Sequence, residues 1–85
     1  MQDKFDIGKI VNTFGIKGEI KVVIYTDNIK QFEKGKIIYV GNEKMKIEKS
    51  RYQKGMMIIK LEGIDNMTQA ENIRDKVISC LLYTS

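Results

Sequence analysis

A chain of 85 residues has room for one small domain with one modest core, and its 42% hydrophobic and 31% charged residues fit a folded chain better than a disordered tail. It has no histidine and one cysteine, Cys80. An internal disulfide, a histidine-ligated metal site and Ser-His-Asp or Cys-His catalysis are therefore not expected. No stretch approaches the roughly 20 apolar residues that cross a bilayer, and Met1-Gln2-Asp3-Lys4 is not the start of a secretory signal, so a cytoplasmic chain without membrane contact is expected.

The net charge is +4, from 15 basic and 11 acidic residues, and it is unevenly distributed. Lys44, Lys46, Lys49, Arg51 and Lys54 face a single acid, Glu48, so this segment carries the whole excess and the remainder is neutral. Such a stripe is read either as the wet face of a strand or as a polyanion-binding surface.

In chain order, the first predicted strand is Phe5 to Phe14. Ile7 and Val11 fall on one phase and Gly8, Ile10 and Phe14 on the other, which suits a strand covered on both sides. Gly15-Ile16-Lys17-Gly18 is a tight connection with glycines where positive φ is needed. It is not a phosphate-binding P-loop, because a strand follows it instead of a helix; Lys17 remains a candidate phosphate contact as a point charge. Glu19 to Tyr25 alternates cleanly and turns Ile20, Val22 and Ile24 to the core. Within Thr26 to Gly35, Asp27 or Asn28 caps a short helical turn that puts Ile29 and Phe32 on one face.

Lys36 to Val40 is a third strand, turned at Gly41-Asn42 into Glu43 to Tyr52, where Met45 and Ile47 alternate with Lys44, Lys46 and Glu48. Gln53-Lys54-Gly55 makes the next turn, and Met56 to Glu62 is the most apolar run. The one predicted helix is Ile64 to Arg74, with Thr68-Gln69-Ala70-Glu71 as a capping box or Asp65 or Asn66 as an earlier cap. Its apolar face is Met67, Ala70 and Ile73 or Arg74. Val77 to Tyr83 is the last strand. Six strands and one short helix predict an all-β fold, a small closed six-stranded barrel, because closure removes exposed edges. Tyr25, Tyr39 and Tyr52 are read as core or rim residues, with stacking on unpaired bases as the alternative. Asp3 with Asp6, and Glu62 with Asp65, are read as ordinary solvated carboxylates and not as acid/base dyads.

Two stretches carry a family resemblance. Ile7-Gly8-Lys9-Ile10-Val11-Asn12-Thr13-Phe14-Gly15-Ile16-Lys17-Gly18-Glu19-Ile20-Lys21-Val22 resembles the opening signature of the RimM family of ribosome maturation factors. Met57-Ile58-Ile59-Lys60-Leu61-Glu62-Gly63-Ile64-Asp65, followed by Ala70-Glu71, resembles that family's apolar strand, glycine turn at Gly63 and short helix. The resemblance implies a translation-factor-like barrel over residues 1–79. It implies a non-enzymatic, monomeric assembly factor without a cofactor, helping the 30S head mature and 16S rRNA be processed. Its implied partners are the pre-30S subunit, 16S rRNA and the small-subunit head protein number nineteen. The last of these is met largely through a second, PRC-type barrel that these residues do not include. RNA contacts are expected at Lys17, Lys21, Lys44, Lys46, Lys49, Arg51 and Lys54. Phe14 and Ile16 are expected as a protein-contacting apolar tip or as a plug of the barrel end, and Gly15, Gly18 and Gly63 as turn residues.

The chain departs from the family pattern in three places. Many members have histidine at Phe14, and a glycine often ends the helix where this chain has Asp75. Residues 80–85 follow no family pattern and read as an atypical tail, from truncation or sequence assembly. The competing readings are a protein–protein module that docks a small-subunit ribosomal protein without RNA, and, on shape alone, a flavin- or nucleotide-binding barrel.

Overall fold

A computed structural model describes residues 4–25 and 29–81. The strands are β1 (Lys4–Phe14), β2 (Glu19–Ile24), β3 (Ile37–Val40), β4 (Glu43–Gln53), β5 (Met56–Leu61) and β6 (Val77–Leu81). They close into an antiparallel barrel in the order β1-β2-β5-β4-β3-β6. A 3₁₀ turn (Ile29–Phe32) precedes β3, and one helix, α1 (Met67–Asn72), lies between β5 and β6. The proposed caps Asp27 and Asn28 lie outside the described residues, as do Leu82 and Tyr83 of the predicted last strand. Cys80 and Leu81, assigned from sequence to the tail, belong to β6; Cys80 pairs with Phe5 and is buried in the core.

The core is mostly aliphatic, with one phenylalanine. Ile10, Ile20, Val22, Phe32, Ile38, Ile59, Leu61 and Ile78 are wholly buried. The first of two irregularities in β1 explains why Ile7 belongs with them. Side chains alternate strictly along a regular strand, so Ile7 and Ile10, an odd number apart, would face opposite ways. The register shifts between Asp6 and Gly8 against β6, and again between Ile10 and Asn12 against β2. Both isoleucines then reach the interior, at 1% and 0% exposure. The two-phase reading of this strand is corrected accordingly: Val11, paired there with Ile7, is only half-buried.

Phe32 fills the space beside Gly8. A Cβ on Gly8 would lie 2.7 Å from the Val23 carbonyl oxygen, 2.9 Å from Val22 Cγ1 and 3.3 Å from the Phe32 ring. The 3₁₀ turn buries Phe32 alone and leaves Ile29 exposed, so the shared face read from their spacing is not formed. At the β1–β2 connection Gly18 has φ +91°, and a Cβ there would stand 2.5 Å from the Ile64 carbonyl oxygen and 2.9 Å from the Asn66 amide nitrogen. This connection therefore backs directly onto the segment leading into α1.

The helix is shorter than the Ile64–Arg74 span read from sequence, and Asn66 is its cap. The Asn66 side chain accepts from the Gln69 amide at 2.8 Å, and Gln69 Oε1 accepts from the Asp65 amide at 2.7 Å. The earlier of the two alternatives thus prevails over Thr68–Glu71. Ala70 and Ile73 are buried, while Met67 is 42% exposed and Arg74 is exposed, so the apolar face is narrower than the periodicity implied. Tyr25, just past β2, and Tyr52 on β4 are exposed by more than half, and neither is a core residue.

Three expectations follow from this packing. Gly18→Ala should destabilise the chain by at least about 2 kcal/mol, because strain at positive φ adds to a backbone clash; chemical denaturation measures it. Asp75, at φ 71°, occupies the left-handed region, so Asp75→Gly should raise stability by about 0.5–1 kcal/mol in the same assay. Burial pushes the Cys80 thiol above its ordinary value of 9.0, so folding favours the neutral form. That contribution is fully present below the ordinary value and disappears as pH rises through the raised one. A denaturant series from pH 7 to 11 should show the loss in the wild type and not in Cys80→Ala.

Candidate functional site

The basic stripe lies on β4, and a register shift decides which way it faces. Lys44 and Lys46 are even-numbered, Lys49 and Arg51 odd, so a regular strand would divide them between the two sides of the barrel. Met45 and Ile47 turn inward, as the sequence implies. The register then slips between Ile47, opposite Leu61, and Lys49, opposite Lys60. Beyond the slip Ser50 pairs with the core residue Ile59, and Arg51 pairs with Ile58 on the outer side. Lys44, Lys46, Lys49 and Arg51 are consequently all exposed on the outside of one strand.

Glu48, the acid of the stripe, is turned toward a cation that the sequence reading had not singled out. Lys60 Nζ lies 3.9 Å from Glu48 Oε1 and 3.0 Å from Asp65 Oδ1, and donates to the Leu61 carbonyl oxygen at 2.8 Å. Lys60 is nearly buried, whereas the Asp65 side chain is 73% exposed. Asp65, read from sequence as an ordinary solvated carboxylate, is thus an ion-pair partner that ties the segment before α1 to β5.

The remaining predicted cations are not gathered into one patch. Ile20 pairs with Ile59 and Val23 with Met56, so the turn before β2 and the turn before β5 lie at opposite ends of that strand pair. Lys17 sits in the first turn and Lys54 in the second. Lys54 has φ 50° and Gly55 φ 84°, the two positive values of a type I′ hairpin. Lys44 and Lys46 pair with Tyr39 and Ile37 of β3, away from β2. Gly15 and Gly63 both have positive φ, 82° and 91°, with open space around them.

Lys21 and Arg51 do come together. Lys21 and Arg51 flank Ile58 on its two neighbouring strands. The Phe14 ring lies at both of them: Lys21 Nζ is 5.6 Å and the Arg51 guanidinium 5.4 Å from its centroid. Phe14 pairs with Glu19, is half-buried and is absent from the core cluster, so it does not plug the barrel; the buried phenylalanine is Phe32. Ile58 is 2% exposed although it lies outside the core cluster, which means the outer face is covered here. The doubled apolar run Met56-Met57-Ile58-Ile59 was the sequence signal for that cover. Ile16, at the tip of the β1–β2 turn, is 78% exposed.

Chemically the face offers fixed positive charge and one aromatic ring. Among the described residues no group of three or more Cys, Asp or Glu is placed to hold a metal ion, and no helix is long and apolar enough to cross a membrane.

The profile of the RimM N-terminal domain matches residues 5–81. A ribosome maturation factor RimM of Clostridium botulinum (strain Alaska E43) is 44% identical over 78 residues, which make up 92% of this chain and 47% of that protein. Two solved structures share the fold. The crystal structure of a Pseudomonas aeruginosa RimM, described as a 16S ribosomal RNA processing protein, superposes with a TM-score of 0.81 at 26% identity, over 92% of this chain and 50% of that one. The solution structure of the N-terminal domain of Thermus thermophilus RimM does so at 0.78 and 19% identity, over 91% and 87%. The chain thus spans about half the length of the full relatives it matches. With the barrel, its strand order and both signature stretches inside the matched range, the chain belongs to the RimM N-terminal domain family.

Proposed function

We propose that this chain is the RNA-facing barrel of a ribosome maturation factor, a non-enzymatic domain that binds pre-30S particles in the cytoplasm and assists 16S rRNA processing and maturation of the 30S head. The observation that carries this reading is the slip in β4, which turns Lys44, Lys46, Lys49 and Arg51 outward together while Lys60 engages the intervening acid. Four strand-borne cations on one side of a small barrel suit a sugar-phosphate backbone, which carries a charge at every nucleotide. Lys21 widens that field onto β2, and Lys17 and Lys54 extend it to the two ends of the β2–β5 pair. In this reading the head ribosomal protein is engaged mainly by the PRC-type barrel of longer family members.

A second reading rests on Ile16. Ile16, 78% exposed at a hairpin tip, offers apolar area that a ribosomal protein surface would bury on docking. Phe14 does not share that tip, since its ring lies against Lys21 and Arg51.

The test is co-sedimentation with immature and mature 30S subunits across a salt series. Binding to immature particles should weaken steeply as salt rises. Lys46→Glu combined with Arg51→Glu should lower affinity by at least about tenfold near 0.1 M salt, with little change in melting temperature because both side chains are exposed. Unchanged binding by the double variant would remove the RNA-facing reading. Loss of binding on Ile16→Asp alone would favour the protein-docking one.

A further inference from the structure

Cations on this surface are held in two different ways. Lys60 is fixed by carboxylates, Asp65 and Glu48, and Arg74 lies 3.5 Å from Glu71. A carboxylate positions a cation by neutralising it, so these two add little to an external field. Lys21 and Arg51 make no ion pair among the described residues; what both approach is the Phe14 ring. A ring face attracts a cation through its quadrupole and carries no net charge, so it orders the side chain and leaves the full charge available to a ligand.

The placement makes this specific. Lys21 comes from β2 and Arg51 from β4, two strands separated by β5, and the ring comes from β1. Two long side chains from such positions ordinarily sample many rotamers, and binding an anion must immobilise both. Phe14 is itself anchored, half-buried in the β1–β2 pairing opposite Glu19. Beneath the two cations Ile58 is 2% exposed, so their aliphatic stems lie beside an apolar floor on the outside of the barrel.

We propose that Phe14 is a positioning residue that holds Lys21 and Arg51 as a preorganised, un-neutralised pair for the phosphates of an RNA backbone. This rests on the RNA-facing reading above and assigns a role within it. The ring orders two donors in advance and makes no contact with the RNA itself. A spherical ammonium and a planar guanidinium held side by side give one compact and one forked donor to neighbouring phosphate oxygens.

The experiment uses the 85-residue chain and a transcribed 16S rRNA head fragment as probe, with affinity read at several salt concentrations. Phe14→Leu, which keeps an apolar cover and removes the quadrupole, should weaken binding by about tenfold, and Phe14→Tyr should bind as the wild type does. In a Lys21→Gln plus Arg51→Gln background, Phe14→Leu should change nothing further. Wild-type affinity in Phe14→Leu would overturn the proposal. So would a persistent loss in the double-Gln background, since the ring would then be touching RNA directly. One readout does not depend on any variant folding: in the unaltered chain the Lys21 Hε and Arg51 Hδ protons should show upfield ring-current shifts by NMR, and ordinary shifts would also overturn the proposal. If Lys46→Glu plus Arg51→Glu leaves binding intact, RNA recognition by this face fails as a whole. If that variant weakens binding while Phe14→Leu does not, only the role of Phe14 fails.

Discussion

Side chains on a β-strand alternate sides, and a closed barrel turns that geometry into a rule: each residue is either core or surface. The slips in β1 and β4 are where this chain departs from the rule, and much of the rest depends on them. In β1 the slip between Asp6 and Gly8 lets Ile7 and Ile10 both reach the interior. In β4 the slip past Glu48 lets the strand deliver Met45 and Ile47 inward and still present cations outward on either side of the irregularity. Without it, half of the basic stripe would point at Ile59 and the core, where an unpaired charge costs several kcal/mol.

The same slip organises the charges around it. Glu48, the bulged residue, reaches back to Lys60 on β5, and Lys60 in turn holds Asp65 ahead of α1. Gly18 meets that same segment from the β1–β2 turn, through contacts that leave no room for a Cβ. The small helix is thereby tied to the barrel from two sides, which compensates for the narrow apolar face that Ala70 and Ile73 provide. Electrostatics and packing thus act on one short stretch, residues 64–66, and hold it against the turn before β2 and against β5.

Positive charge on this surface is deliberate in its distribution. Where a cation serves the fold, as Lys60 does, carboxylates neutralise it. Lys21 and Arg51, on the open face, make no ion pair among the described residues and approach an aromatic ring instead. A surface built from fixed charge with few deep apolar contacts suits reversible association. Association through fixed charge is governed by ionic strength and by competing polyanions more than by shape.

Much of this was legible in the sequence. Alternation in Glu19–Tyr25, the glycine turns, the capping signals before α1 and the apolar run at Met56–Leu61 specified six strands, one helix and closure, because these are local signals of propensity and period. The charge count located the stripe. Family membership was legible in two stretches whose glycines have positive φ or close backbone contacts. What the sequence could not determine was facing. A bulge is set by which partner residues a strand meets across the barrel, and no local pattern in Glu43–Gln53 announces where the register slips. Whether Lys49 and Arg51 faced water or core, whether Phe14 filled the barrel or lay against Lys21 and Arg51, and whether Lys60 was surface or nearly buried all depended on pairings between strands distant in the chain. Those pairings exist only once the barrel has closed, and so the tertiary structure alone decided them.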